Sequence, residues 1–287
     1  MKVGIGLPTA IPNIPDGAFL IQWAKKAEDL GFSSLGLIDR VVYPNYEPLV
    51  TFAAVAADTK RMRLMTTILL APTRGTALLA KQAATIDRIS NGRLTLGLGI
   101  GSRKDDFNAT DQKFDNRGKR FEKQLALMKK IWNGERISAE VGSVGPLPIQ
   151  KGGPELLIGG YDPRAIERIG KWADGYISGS GGDPKVVASL FKLVEESWKK
   201  NGRRGKPRLV CSLYFALGNN ATERGAPYLR SYYGSFAERL MKGLQSSSDK
   251  LKETLGAYSQ IGADEVMLWP TIPEMDQLEL LSRALPR

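Results

Sequence analysis

Eight apolar runs of strand length recur along this chain, and stretches with helical periodicity separate them. The runs are KVGIGLP, SSLGLID, RLMTTILLAP, LTLGLGIG, ELLIGGY, GYISG, RLVCSLYFALG and EVMLWP. Segments this continuously apolar suit strands covered on both faces, as in parallel sheets. Between them, Leu20, Ala24, Ala27 and Leu30 fall on one helix face, as do Leu79, Ala83 and Ile86. Phe121, Leu125, Met128 and Trp132 form a further stripe, and Val187, Phe191, Val194 and Trp198 another. Asp162-Pro163 and Asp183-Pro184 each set a capping aspartate before a proline at the first helical position. A weak repeat (DLGFSSLGLID, KWADGYISG, QIGADEVMLWP) carries a helix end through a turn into a strand. Eight strand–helix units in 287 residues predict an α/β fold, a (β/α)8 TIM barrel forming a single domain over residues 1–287. An open doubly wound sheet is the alternative.

In a barrel the working residues gather at the C-terminal ends of the strands. The longest connection, an excursion over residues 102–154, lies between the fourth and fifth strands. It carries one long helix, expected over about 117–133, and a Gly/Pro-rich tail, EVGSVGPLPIQKGGP. A second irregular stretch, SYYGSFAERLMKGLQSSSD, follows the seventh strand. Each reads either as a cover for a pocket or as a surface insertion.

The chain has no histidine, which excludes Ser–His–Asp triads, Cys–His dyads and histidine metal sites; no metal is expected. Acid–base work falls to Asp, Glu, Lys, Tyr or water, or a redox cofactor carries the chemistry. The single cysteine, Cys211, sits in an apolar run and reads as a buried thiol, which suits a reducing compartment. The opening MKVGIGLP is too short for a signal peptide, and no apolar run approaches a membrane span. A cytoplasmic protein without membrane or nucleic-acid partners is expected. The net charge of +11 is spread along the chain with no zinc spacing or RNA-binding signature.

The run LTLGLGIGSRKDDF places Gly97, Gly99 and Gly101 at alternate positions. A dinucleotide fingerprint needs a glycine where Ser102 stands, counting from Gly97, or where Lys104 stands, counting from Gly99. Neither count completes it. Alternate glycines leave one strand face bare, either for a ligand or for tight packing inside the barrel. In LLIGGYDPRAIERIGKWADG, Gly159-Gly160 precede a capped helix, a plausible anion site that Asp162 would oppose if it pointed inward. ISGSGGDP repeats the arrangement one strand later, with Ser178 and Gly179. Asp39 and Arg40 end the second strand, either as site residues or as a pair holding the loop. Thr66, Thr67 and Ile68 end the third, near Arg74.

The run LLAKQAATIDRISNGRLTLGLGIGSRKDDF, with RGKRFEKQLALMKKIWNGE and LLIGGY...ADGYISG, resembles the bacterial luciferase-like family of flavin-dependent oxidoreductases over nearly the whole chain. The resemblance implies a (β/α)8 barrel that binds FMN or the deazaflavin coenzyme F-420. It puts the ring over Gly101 and Ser102, a non-prolyl cis peptide at Thr67-Ile68 behind it, and the phosphate near Gly159 and Gly160. Ser178 and Gly179 would lie close by, and Asp39, the catalytic candidate, beside the ring. Two departures stand out: Arg40 occupies a position where some relatives carry histidine, and Ser102 replaces a bulkier residue. The expected activity is oxidation of a small organic substrate with oxygen and reduced FMN, the latter supplied by a separate reductase. Hydride transfer with coenzyme F-420 and flavin binding without turnover are the alternatives. A homodimer is expected, as the family commonly forms one.

Overall fold

The computed structural model of the chain describes residues 1–14, 16–181 and 183–285, without the Ser180 side chain. Gly182 of the ISGSGGDP stretch lies outside the described residues. In chain order the elements are β1 (Lys2–Gly6), α1 (Gly17–Asp29), β2 (Ser34–Leu37), α2 (Pro48–Asp58), β3 (Arg63–Thr66), β4 (Leu69–Leu70), α3 (Thr76–Ile89) and β5 (Leu94–Gly99). There follow α4 (Lys104–Asn108), α5 (Arg117–Trp132), β6 (Glu155–Gly159), α6 (Pro163–Trp172), β7 (Gly175–Ser180), α7 (Pro184–Lys200) and β8 (Arg208–Phe215). The last are α8 (Ala221–Tyr233), α9 (Ala237–Lys242), α10 (Ser248–Gln260), β9 (Glu265–Pro270) and α11 (Asp276–Ala284). The strands are ordered β3-β2-β1-β9-β8-β7-β6-β5-β4, and β3 also pairs with β5, which closes the sheet. Every pairing is parallel. The protein is a TIM barrel. The third apolar run forms two strands, β3 and β4, broken at Thr67–Ile68, where the peptide bond is cis.

Alternation along each strand sorts the side chains into two clusters. Leu35, Leu37, Leu64, Leu96, Leu98, Ile158, Leu213 and Leu268 pack outward against the helices, with Leu20, Trp23, Leu79, Phe121, Phe191 and Val194. Met65, Leu157, Ile177, Val210, Met267 and Trp269 fill the inside. The strand stripes and helix stripes of the sequence meet as expected, and the Asp162 and Asp183 caps accept from the backbone N–H groups of Arg164 and Lys185. The N-terminal end of the barrel is closed by polar groups on the first residues of four strands. Arg208 bridges Glu155 and the fully buried Glu265. Arg63 donates to Thr95 Oγ1 at 2.9 Å, and that hydroxyl donates to Glu155 at 2.7 Å.

The inside is narrow because β1 and β2 contribute glycine where β9 contributes Met267 and Trp269. A Cβ on Gly6 would lie 2.2 Å from the Trp269 ring, and one on Gly36 2.8 Å from the Met267 sulfur. Gly97 and Gly99 have the same reason. A Cβ there would meet the Thr66 carbonyl oxygen at 2.0 Å and the Ile68 side chain at 1.9 Å. These two glycines therefore serve interior packing, and a ligand does not approach over them.

The excursion divides between the two ends of the barrel. Residues 102–116, with α4, lie at the C-terminal end, and α5 runs back down the outside as the regular barrel helix. The tail after α5 is consequently at the opposite end and covers no mouth. It is tied to the end of α3 and the start of β5 by Asp87, which accepts from the N–H groups of Ile149 and Gln150, and by Gln150 Nε2 donating to the Leu94 carbonyl. No helix among the described residues is long and apolar enough to cross a membrane.

Replacing Gly6 with Ala forces a methyl into the Trp269 ring. The expected loss is about 1–3 kcal/mol of unfolding free energy, as for other overpacked cores. Gly142→Ala, where a Cβ meets nothing within 4 Å, is the control and leaves the denaturation midpoint unchanged.

Candidate active site at the mouth of the barrel

Four neighbouring strands, β4 to β7, end side by side, and their ends carry the residues singled out from the sequence. Leu98 of β5 pairs with Ile158 of β6, and Gly159 of β6 with Ile177 of β7. Thr67, Ile68, Gly101, Gly159, Gly160 and Gly179 are each partly accessible, and Ser102 is exposed. They form one accessible strip, mostly of bare backbone, except that the Tyr161 hydroxyl lies over Gly179, 1.9 Å from where its Cβ would be. Ile68 joins its parts, since its side chain lies where a Cβ on Gly99 would go and packs 3.1 Å from where one on Gly159 would be. Gly160 takes φ +149°, a conformation left to glycine, and a Cβ there would sit 2.7 Å from Ala165. Ser178 stands apart. It sits where the β7–β8 register shifts, its side chain is buried beside the Cys211 thiol, and its hydroxyl lacks a hydrogen-bond partner of good geometry. A ligand on the strip can meet Ser178 only through its backbone.

The charges next to the strip pair in a crossed pattern. Asp39, fully enclosed, accepts from Arg74 Nη1 at 2.6 Å, Arg74 Nη2 at 3.1 Å and the Leu70 N–H at 2.8 Å. Arg40 does not pair with Asp39. Its Nε donates to Asp106 at 2.7 Å and its Nη2 to Asp105 at 3.1 Å. The second oxygen of Asp106 accepts from the N–H groups of Val41 and Val42. The loop after β2 is thus bound through Arg40 to α4, and through Asp39 to the segment after β4. Burial pushes the Asp39 carboxyl pKa up, against the pull of Arg74 and the Leu70 N–H. At the far end of the strip, Asp162 caps α6 and is hydrogen-bonded by Arg164, side chain and backbone both, which holds its pKa down at about 2. Its charge is matched by Arg164 rather than left facing the strip.

Above the strip stands a wall of tyrosines. Tyr228, Tyr232 and Tyr233 come from α8, Tyr214 from β8 and Tyr43 from the loop after β2. The Tyr232 and Tyr233 ring centroids are 4.8 Å apart, those of Tyr43 and Tyr232 5.0 Å. The Tyr214 and Tyr233 hydroxyls are hydrogen-bonded at 2.7 Å. Arg103 stacks over Tyr232 at 5.3 Å and donates to its carbonyl. Burial pushes the Tyr232 phenol up to about 12, with Arg40 and Arg103 pulling it down. Arg74, beyond its position, and Arg103, Asp106 and Tyr232 carry no role legible in the sequence. The acidic RKDDF run and the paired tyrosines of SYYGSF were the signals available. Among the described residues, no three His, Cys, Asp or Glu side chains converge on a metal-binding position.

The chain belongs to the luciferase-like monooxygenase family, whose model matches residues 1–279. An uncharacterised protein of Mycobacterium tuberculosis is 30% identical over 216 residues, 64% of this chain and 74% of the relative. Among solved structures, the monooxygenase RslO1 from Streptomyces bottropensis superposes with a TM-score of 0.81 at 19% identity, covering 99% of this chain and 98% of its own. An F420-dependent secondary alcohol dehydrogenase, solved with an F420–acetone adduct, gives 0.79 at 15% identity over 100% and 99%. The oxygenating constituent of 3,6-diketocamphane monooxygenase from Pseudomonas putida, solved with FMN, gives 0.77 at 16% over 99% and 97%. At these identities the structures share the fold.

Two predictions follow from the charge pattern. Asp39→Asn keeps an acceptor for the Leu70 N–H but removes the charge opposite Arg74, and is expected to destabilise by about 3 kcal/mol, as for other broken buried pairs. An unchanged denaturation midpoint would show that Asp39 holds nothing together. For Asp162, the folded pKa lies below the unfolded value of roughly 3.9. Its contribution is therefore complete above that value and lost as pH falls toward about 2. The melting-temperature deficit of Asp162→Ala should shrink over that window and hold steady above it.

Proposed function

We propose that this protein is a flavin-dependent oxidoreductase of the monooxygenase type, acting on a small organic substrate with reduced FMN and oxygen. The observation that carries the reading is the accessible strip of backbone along β4 to β7, set between bound loops and a tyrosine wall in a luciferase-like barrel. The strip fits a flavin. Gly101 and Ser102 offer bare backbone for a flat ring, with Thr67 and Ile68 behind it. Gly159, Gly160 and the backbone of Ser178-Gly179 offer a cradle for a phosphate at the start of α6. The flavin, when bound, supplies the redox chemistry that no side chain here can supply. The protein's own part is to seat the ring, exclude water with the tyrosines and fix the loops through Asp39–Arg74 and Arg40–Asp106. We read Asp39 as a positioning residue, since Arg74 and Leu70 occupy its oxygens.

A second reading, hydride transfer with coenzyme F-420, draws support from the basic groups outside the phosphate end. Arg117 donates to the Gly101 carbonyl at 2.9 Å, and Arg164 and Arg239 lie within electrostatic reach of Arg117 and Tyr161. A longer polyanionic tail would find them there. With FMN, reduced flavin would come from a separate reductase.

Titrating the purified protein with FMN and with F-420, followed by flavin fluorescence, tests both readings. Saturable FMN binding that weakens at least about tenfold in Gly160→Ala, a loss of about 1.4 kcal/mol, is the expected result. F-420 binding without FMN binding transfers the assignment to the second reading, and binding of neither overturns both.

A further inference from the structure

Arg40 carries a donor that the fold does not use. Its side chain is 5% exposed, and its Nε and Nη2 edge is taken up by Asp106, Asp105 and the Val42 carbonyl. Its Nη1 is buried and has no hydrogen-bond partner. A buried cationic N–H without an acceptor is unfavourable and uncommon, and where one persists it points to a missing partner. The residues around it show where that partner would be. The Arg40 guanidinium lies 5.9 Å from the centre of the Tyr43 ring, and Tyr43 packs edge-on against Tyr232. The Tyr232 phenol is within electrostatic reach of Arg40, Arg103, Asp39 and Asp106 together. Arg40, Tyr43, Tyr232 and Arg103 are therefore neighbours in one cluster, on the side of β2 and α8.

What surrounds that cluster is aromatic. Tyr43, Tyr232, Tyr233 and Tyr214 follow one another in edge-to-face contact. A planar ring is the shape such a wall packs against with little loss of contact, and edge-to-face pairs add to the burial they make. A guanidinium N–H and a phenol O–H on the same side are both donors, so the group they select is an acceptor oxygen, favoured further if it carries charge.

We propose that Arg40, through its free Nη1, and Tyr232, through its hydroxyl, hold the anionic oxygen of a planar aromatic substrate, such as a carboxylate, enolate or phenolate, at the mouth of the barrel. The inference deepens the reading of the mouth as an oxidoreductase site and rests on it. It assigns the substrate side to residues 40, 43 and 232, where that reading concerned the flavin side.

The test is calorimetric titration of the protein with benzoate and with its neutral isostere benzamide, in the presence and absence of whichever flavin binds. Wild type is expected to bind benzoate at least about tenfold tighter than benzamide, a difference of about 1.4 kcal/mol. Tyr232→Phe should weaken benzoate about tenfold and benzamide distinctly less, since a hydrogen bond to a charged acceptor is worth more than one to a neutral carbonyl. Arg40→Lys, which keeps a cation beside Asp106 but gives up the planar fork and with it the bonds to Asp105 and Val42, should erase the preference and also lower the melting temperature, so Tyr232→Phe is the variant that reads the anion contact apart from stability. No benzoate binding, equal affinity for the two probes, or a preference untouched by both substitutions overturns the proposal. If flavin binds and the benzoate preference is missing, only this inference fails. If the preference is present and neither flavin binds, the oxidoreductase reading fails and the anion site stands.

Discussion

The inside of this barrel is packed so closely that the large side chains of some strands require glycine on their neighbours, and the arrangement of the mouth depends on that. Trp269 and Met267 of β9 lie against Gly6 and Gly36, where a methyl group would already collide. Higher up, Ile68 does the same between Gly99 and Gly159. A side chain wedged between two glycines on neighbouring strands has little freedom of position, because close-packed interiors transmit displacement rather than absorb it. Thr67 and Ile68 are therefore held from inside by packing. The segment that follows is held from outside by Asp39, which takes the Leu70 N–H and Arg74.

Buried ion pairs do the rest of the positioning, at the expense of desolvation. Removing a carboxylate and a guanidinium from water is unfavourable, and the attraction between them repays it only when the remaining donors and acceptors are also satisfied. Asp106 meets that condition, with one oxygen on Arg40 and the other on two backbone N–H groups. So does Asp39. Arg40 does not, having one nitrogen without a partner. For this ion pair the imbalance falls on Arg40 Nη1, whereas the polar closure at the other end of the barrel shares its charges among Arg63, Arg208, Glu155 and Glu265.

Much of the scaffold was legible because it depends on local pattern. Apolar runs, helix stripes and the Asp-Pro caps are set within a few residues, and the structure reproduces them. The partners of Asp39 and Arg40 were not legible, since Arg74 and Asp106 lie 35 and 66 residues away. An adjacent Asp-Arg invites the reading of a pair, yet the loop after β2 turns Asp39 to Arg74 and Arg40 to Asp106. The same distance effect hid the purpose of Gly97 and Gly99. Their need for glycine comes from Thr66 and Ile68 on the neighbouring strand, which no spacing within LTLGLGIG reveals. For the tail of the excursion, left open between a cover and a surface insertion, the direction of α5 settles that it lies at the N-terminal end, away from the mouth.

A mouth without histidine has a particular chemical character. Tyr232, held up at about 12, remains protonated across neutral pH and donates hydrogen bonds without accepting protons. Arginine stays charged throughout. Asp39 has the one carboxylate next to the strip that burial drives toward a higher pKa, but Arg74 and the Leu70 N–H occupy its oxygens. Asp106 is committed in the same way. Among the described residues, the arginines and tyrosines at this mouth can therefore stabilise negative charge and orient a substrate, while its two enclosed carboxylates, Asp39 and Asp106, have their oxygens occupied. A reaction that begins with proton abstraction by either of these carboxylates is poorly served here. One in which a bound redox group carries the bond-making, and the protein supplies donors for an oxygen that is or becomes anionic, makes use of every group the mouth contains.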